Sequence, residues 1–184
     1  MKELDTIQEA KAFGYDPADL LLWVDSERQL LLILRGEDGS TLRTYPISTA
    51  ILGLGEREHS YQTPRGWHRV CERYGADMPI GTAFESRVAV EGPAESDFQQ
   101  TGSSDLILTR ILRLEGLEAG KNKGDCASSA AICDSYARYI YLHGTHQEQL
   151  LGQPASKGCI RMANADILEL FDLARNREIY CLIE

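Results

Sequence analysis

Residues 156–162 read SKGCIRM, and how this stretch is read decides both the fold and the chemistry. Cys159 lies between Gly158 and the apolar Ile160, with Ser156 three positions before it and Arg161 two after. Upstream, the run RYIYLHG (138–144) alternates Tyr139 and Tyr141 with Ile140 and Leu142, which predicts a strand ending at His143. Gly144 then lets the chain turn at little steric cost. Fifteen residues lie between His143 and Cys159, enough for a loop to fold back and bring them together. An imidazolium beside a thiol lowers its pKa into a range of roughly 3.5–7.5, and the thiolate is the nucleophile. Gly158 allows close approach of a substrate. The amides of residues 158 and 159 suit an oxyanion hole, each donor contributing about 3 kcal/mol. Arg161 is a fixed cation suited to a carboxylate. Nucleophile, base, oxyanion donors and anion anchor are thus all available.

Blander readings compete. A free cysteine packs well as a small hydrophobe, and Cys71, Cys126, Cys133 and Cys181 are read that way. His59, His68 and His146 read as structural, although His68 also suits the lining of a site. Zinc is the sharper rival, with His143, His146, Cys126, Cys133 and Cys159 as imaginable ligands. No Cys-x-x-Cys pair exists, however, and His143 and His146 flank the point where the strand breaks, so their rings need not converge. No metal and no cofactor are expected.

The whole chain has 184 residues, 43% of them hydrophobic, which suits one domain with a real core. A formal net charge of −9 without a long basic run argues against nucleic acid and anionic membrane as partners. The opening MKELDTIQEAKAFGYD has no apolar stretch of the secretory kind, and LLLWV (20–24) is too short to span a bilayer. Five cysteines without paired spacing suit a reducing compartment. The expectation is a cytoplasmic protein, with a periplasmic one as the alternative if a signal is missing from this chain.

Residues 3–13 read as a short helix. LLLWV, QLLLIL (29–34) and TLRTYPIS (41–48) read as an antiparallel meander, its sheet covered on both faces because QLLLIL is so apolar. Residues 52–66 read as loop. Gly53 and Gly55 open a glycine pattern that Glu58 breaks, so the dinucleotide fingerprint fails. Thr63-Pro64-Arg65-Gly66 is a tight turn into WHRVCERYG. RVAVEG (87–92) is a short strand, EGPAESDFQQTGSSD (91–105) a polar surface connection, and DLILTRILRLEG (105–116) one or more strands. Asp125 is placed to cap a short helix over 126–138. Asn164 is placed to cap a helix through ADILELFDLA, with residues 167, 168, 170, 171 and 173 as its apolar face. EIYCLIE closes the chain as a strand.

Taken together, HGT, a loop of this length, SKGCIRM, Asn164 and Asp166 resemble the YkuD-type L,D-transpeptidase catalytic domain, as do the TPRG turn and the strand-rich first half. Lys157 stands where many members have histidine. The resemblance covers roughly 20–184, leaving 1–19 as an N-terminal extension and 121–137 as a probable insertion, either a lid or a surface elaboration. It implies an α+β, mainly β fold, a YkuD-like β-sandwich with a helix following the catalytic cysteine. It further implies an enzyme of peptidoglycan stem peptides, acting on tetrapeptides or muropeptides. Cys159 attacks the carbonyl of the third residue, usually meso-diaminopimelate, and expels the terminal D-alanine. His143 is base and then acid, and a carbonyl near Gly144 orients its ring. Ser156, Gly158, Arg161 and Thr145 shape the substrate site, Gly158 with Cys159 through oxyanion amides. Hydrolysis of the thioester makes an L,D-carboxypeptidase of cell-wall recycling. Attack by an amine makes an L,D-transpeptidase. A non-catalytic peptidoglycan-binding module on the same fold is a further alternative.

Overall fold

The computed structural model describes residues 2–90 and 105–184. Helix α1 spans Lys2–Ala12. The strands are β1 (Leu20–Asp25), β2 (Leu30–Leu34), β3 (Thr41–Ser48), β4 (Gly66–Tyr74), β5 (Ala83–Glu85), β6 (Val88–Val90), β7 (Ile107–Gly116), β8 (Tyr141–Gly144), β9 (Ile160–Met162) and β10 (Ile179–Ile183). Helix α2 (Asn164–Leu173) separates the last two.

The apolar runs of the first half pair as the meander that their pattern predicts, with Leu22 opposite Ile33 and Leu31 opposite Tyr45. The free edge of β1 takes β10 in parallel, Leu22 opposite Cys181. From there the sheet runs β4-β10-β1-β2-β3-β9-β8-β7, and a further β4–β7 pairing closes it on itself. The β5–β6 hairpin hangs from the edge of β7. Alternate residues of β1, β2, β3, β7, β8, β9 and β10 fill the interior together with Ile167, Leu170 and Phe171 of α2. On the outer face Ile7 and Ala10 of α1 cover Leu21, Trp23, Trp67 and Leu182. Both faces of β1 are therefore buried, which explains the unbroken LLLWV. Cover on β2 is thinner: Leu31 and Ile33 point inward, and Leu30 and Leu32 stay half-buried. Among the described residues no helix is long and apolar enough to cross a membrane.

Several local expectations are corrected. Residues 126–138 form no helix. Cys126 N–H bonds the Ala131 carbonyl and Cys133 N–H the Gly124 carbonyl, closing a small hairpin around an Asp125–Ile132 bridge. An isolated helix this short is marginal in water, and here its amides find cross-chain partners instead. The strand at RYIYLHG begins only at Tyr141, because Tyr139 has φ 55°, in the left-handed region. Asn164 is not the helix cap: Ala163 holds that position without a side-chain bond, and Glu148 Oε1 receives the Asn164 N–H at 2.8 Å. Leu173 is 39% exposed, so the buried stripe of α2 is Ile167, Leu170, Phe171 and Ala174. Within 87–92 the strand covers Val88–Val90, and residues 91–104 of the expected surface connection lie outside the described residues.

His68 is fully buried on β4, its Nδ1 2.9 Å from the Gly66 carbonyl and its Nε2 2.9 Å from Ser135 Oγ. It ties the 117–140 segment to the sheet. Burial holds its pKa down to about 4, so the folded state keeps the ring neutral while the unfolded chain protonates near 6.5. That contribution is complete above pH 6.5 and is lost as pH falls towards 4, by about 3 kcal/mol in all. Thermal melts at pH 7 and pH 4 are expected to converge when His68→Gln is compared with wild type. A difference that stays constant with pH would disprove this account.

Candidate active site

Strands β8 and β9 lie side by side in parallel, with Leu142 opposite Ile160 and His143 opposite Arg161. Leu142, Ile160 and Met162 enter the main core, so His143 and Arg161 face the other way. Cys159, two residues before Arg161, leaves the sheet on that same face and packs against Phe84, Ile111 and Tyr141. A residue opposite Arg161 is a diagonal neighbour of position 159, roughly 7 Å between Cβ atoms, which an imidazole spans. Strand register thus puts His143 and Cys159 on one face of the β8–β9 pair.

His143 is 1% exposed. Its Nδ1 lies 2.8 Å from the Gly144 carbonyl. A carbonyl only accepts, so Nδ1 carries the proton and Nε2 keeps its lone pair, the form a general base needs. Burial lowers the His143 pKa below its ordinary value; Asp105 and the Gly144 carbonyl oppose that shift, and Arg161 adds to it. The Cys159 thiol donates to the Tyr139 carbonyl at 3.5 Å. Burial pushes the thiol up to about 12, against the Tyr141 amide, Arg161 and Arg138, with Asp105 adding to the rise. Both shifts disfavour charge. The expected thiolate–imidazolium pair is thus replaced by a neutral thiol beside a neutral imidazole, because a buried site penalises separated charges. Alkylation of the free protein by iodoacetamide is expected to be slow at pH 7 and to rise about tenfold per unit without a plateau below pH 10. A plateau between pH 5 and 8 would instead show a preformed thiolate.

The residues expected to touch substrate are mostly struts. Ser156 is buried; its Oγ donates to the Cys159 carbonyl at 2.6 Å and accepts the Gly158 amide at 3.2 Å. That amide is engaged within the turn, so the oxyanion role expected of Gly158 is not open to it in this geometry. Gly158 itself has φ +133°, where a side chain would be strained. Its carbonyl accepts from Thr63 Oγ1 at 2.9 Å, and that hydroxyl in turn accepts the Ala50 amide, so the TPRG turn braces the cysteine loop. Thr145 is buried, with Oγ1 accepting the Gln147 amide. Gly144 stays within β8; its role is close packing, since a methyl there would meet Asn164 Oδ1 and the Leu108 carbonyl. Arg161 is corrected as a carboxylate anchor. Its side chain is 4% exposed, ion-paired to Asp105 at 2.7 Å and bonded to Gln147 Oε1 at 2.9 Å.

Sequence reasoning missed Asp105, which no spacing linked to Arg161, and Arg138, whose guanidinium donates to the carbonyls of Gly55, Glu56 and Gln62. It also missed two clefts that open on either side of Lys157. One cleft of about 260 Å³ is lined by His59, Tyr61, Arg138, Tyr139 and Lys157; another, about 340 Å³, by Ile51, Leu52, Tyr61, Ser156 and Lys157. Lys157 stands between them, one residue from the turn that presents Cys159. Another cavity, of about 600 Å³ and lined by Arg69, Arg73, Arg175 and Arg177, contains none of these residues. Among the described residues no three His, Cys, Asp or Glu side chains are grouped to hold a metal.

The family model for the YkuD L,D-transpeptidase catalytic domain matches residues 19–179. No curated protein matches. Among solved structures, an L,D-transpeptidase from Mycobacterium smegmatis is 14% identical at a TM-score of 0.51, covering 91% of this chain and 59% of its own. An L,D-transpeptidase in complex with imipenem is 16% identical at a TM-score of 0.50, covering 90% and 59%. L,D-transpeptidase 3 from Mycobacterium tuberculosis is 12% identical at 0.50, covering 90% and 61%. The chain spans about three fifths of the length of these structures, and at such identities the likeness is one of fold.

Proposed function

Because the chain belongs to the YkuD family of L,D-transpeptidase catalytic domains, we propose that it is a cysteine-dependent enzyme of peptidoglycan stem peptides. The observation that carries the reading is the placement of His143 and Cys159 on one face of the β8–β9 pair, with His143 Nδ1 committed to the Gly144 carbonyl. Nε2 takes the thiol proton as sulfur attacks the carbonyl of the third residue of a tetrapeptide. The imidazolium then returns that proton to the departing amine of D-alanine, leaving a thioester. Asp105 and Arg161, both beside His143, balance each other so that the site bears its transient charges without a fixed excess of either sign.

For the second half-reaction we propose water as acceptor, making an L,D-carboxypeptidase that works in the cytoplasm during cell-wall recycling. An odd set of five free thiols suits a reducing compartment and supports this choice. The test is to incubate the protein with disaccharide-tetrapeptide, with and without a free D-amino acid, beside Cys159→Ala. Tripeptide from wild type alone, with little exchange, is the expected result. Dimers or exchange products would make it a transpeptidase and remove the argument for the cytoplasm. No turnover by wild type would overturn the catalytic reading for this substrate. A relative of this fold is seen in complex with imipenem, so a single imipenem adduct on wild type and none on Cys159→Ala is a second expected outcome, read by intact mass.

A further inference from the structure

Arg161 and Arg138 act on the Cys159 thiol, Arg113 and Arg87 lie over the ring of Tyr139 beside it, and three of these four are already spent. Arg161 is ion-paired to Asp105. Arg138 is held by backbone carbonyls. Arg113 is paired with Glu72 at 2.8 Å and bonded to the Tyr136 carbonyl. Among the described residues the fourth, Arg87, meets aromatic surface. Its Nη1 donates to Tyr141 Oη at 3.2 Å, and its guanidinium carbon lies 5.1 Å from the centre of the Tyr139 ring. Among the described residues no carboxylate lies within ion-pair distance of it.

The position of Arg87 is built rather than incidental. It sits at the tip of the β5–β6 hairpin, where Ser86 (φ 48°) and Arg87 (φ 70°) form a two-residue turn with both residues left-handed, closed by the Glu85–Val88 pair. The hairpin is fixed to β7 through Ala83 opposite Leu108, and β7 carries Ile111 opposite His143. Phe84 of the hairpin packs in the same small cluster as Ile111, Tyr141 and Cys159. Tyr139, whose carbonyl accepts the Cys159 thiol, and Tyr141, which packs in the same cluster as Cys159, are also the two tyrosines whose side chains hold Arg87. A ring face and a phenol orient a guanidinium without neutralising it, and leave most of its N–H fork free for a planar anion.

We infer that Arg87 is the specificity-determining anchor for the free terminal carboxylate of the residue that leaves. This rests on the reading of Cys159 as the nucleophile towards stem peptides. The leaving residue's carboxylate lies one residue beyond the scissile carbonyl, so a cation a short reach from the sulfur reads a chain terminus and rejects an internal bond. A bidentate guanidinium–carboxylate contact suits that task better than a point charge.

The test compares disaccharide-tetrapeptide with its C-terminal amide, using wild type, Arg87→Gln and Arg87→Lys, and follows tripeptide release by mass spectrometry. Wild type is expected to prefer the free acid by roughly 10- to 100-fold in kcat/KM. Arg87→Gln is expected to bring the acid-to-amide ratio close to one, and Arg87→Lys to recover part of it. Thermal melts of the three proteins check that the hairpin is intact. A ratio unchanged by Arg87→Gln, or acid and amide slowed equally, would overturn the anchor while leaving the nucleophile assignment standing. Wild type inert towards both peptides would overturn the stem-peptide reading and the anchor with it.

Discussion

Replacing His143 with glutamine is expected to lower kcat/KM for a tetrapeptide by roughly 10²–10⁴-fold at pH 7, the range a positioned general base supplies. The reason is the state of the thiol. Burial holds Cys159 up to about 12, so at neutral pH almost none is ionised, and attack requires a base at the moment of reaction. His143 is neutral at that pH because burial lowers its pKa, and its Nδ1 proton is fixed on the Gly144 carbonyl. Glutamine keeps much of the volume but cannot take the proton. Two signatures follow. In the variant, the rate should climb about tenfold per pH unit as hydroxide substitutes for the base. In wild type, kcat/KM should be flat from neutrality upward and fall only below pH 6.5, where His143 protonates. Cys159→Ala should abolish the thioester, and adding His143→Gln to it should change nothing more, since the two act as a unit. A His143→Gln enzyme within tenfold of wild type at pH 7 would remove the general base from the mechanism.

Arg161→Met is expected to destabilise the protein by about 3 kcal/mol, because it strands the partner of a buried ion pair. Arg161 is 4% exposed and Asp105 19%, so Asp105 keeps some solvent and the cost sits at the lower end for such pairs. For a chain of this length that corresponds to a fall of about 10 °C in melting temperature. Asp105→Asn added to Arg161→Met should recover much of the loss by removing the stranded charge. The alternative, that Arg161 grips a substrate carboxylate, predicts a raised KM with an unchanged melt. That result would restore the role its place in SKGCIRM suggested.

Lys157 and Gly158 illustrate how unevenly the site was legible. Position 158 demands a backbone conformation that glycine alone adopts cheaply, and the demand is local, so the residue type carries it. Ser156 finds its side-chain partners inside the motif, in Gly158 and Cys159, but what Arg161 touches depends on a residue far along the chain, Asp105, and the turn itself is braced by the distant Thr63. The segment 126–138 misled in the opposite direction. Its composition allows a helix, but cross-chain bonds from Cys126 and Cys133 and the buried His68–Ser135 contact outcompete a short isolated helix. Asn164 was named as a cap from residue type, whereas its amide Nδ2 reaches the Thr145 carbonyl at 2.8 Å, and Glu148 in the intervening loop receives the helix's first N–H.

By itself the sequence determined the meander and the amphipathic helix after the cysteine, and it nominated the histidine–cysteine pair. Each of these depends on side-chain period or on chemistry carried by a few adjacent residues. Only the tertiary structure decided that the sheet closes through β4 and β7, and that His143 lies opposite Arg161, two residues from Cys159, through the parallel register of β8 and β9. It also decided the burial of the pair and the commitment of Arg161 to Asp105 and Gln147. Those are consequences of burial and of long-range partners. Desolvation and ion pairing act between groups the chain brings together only on folding, and no local pattern encodes them.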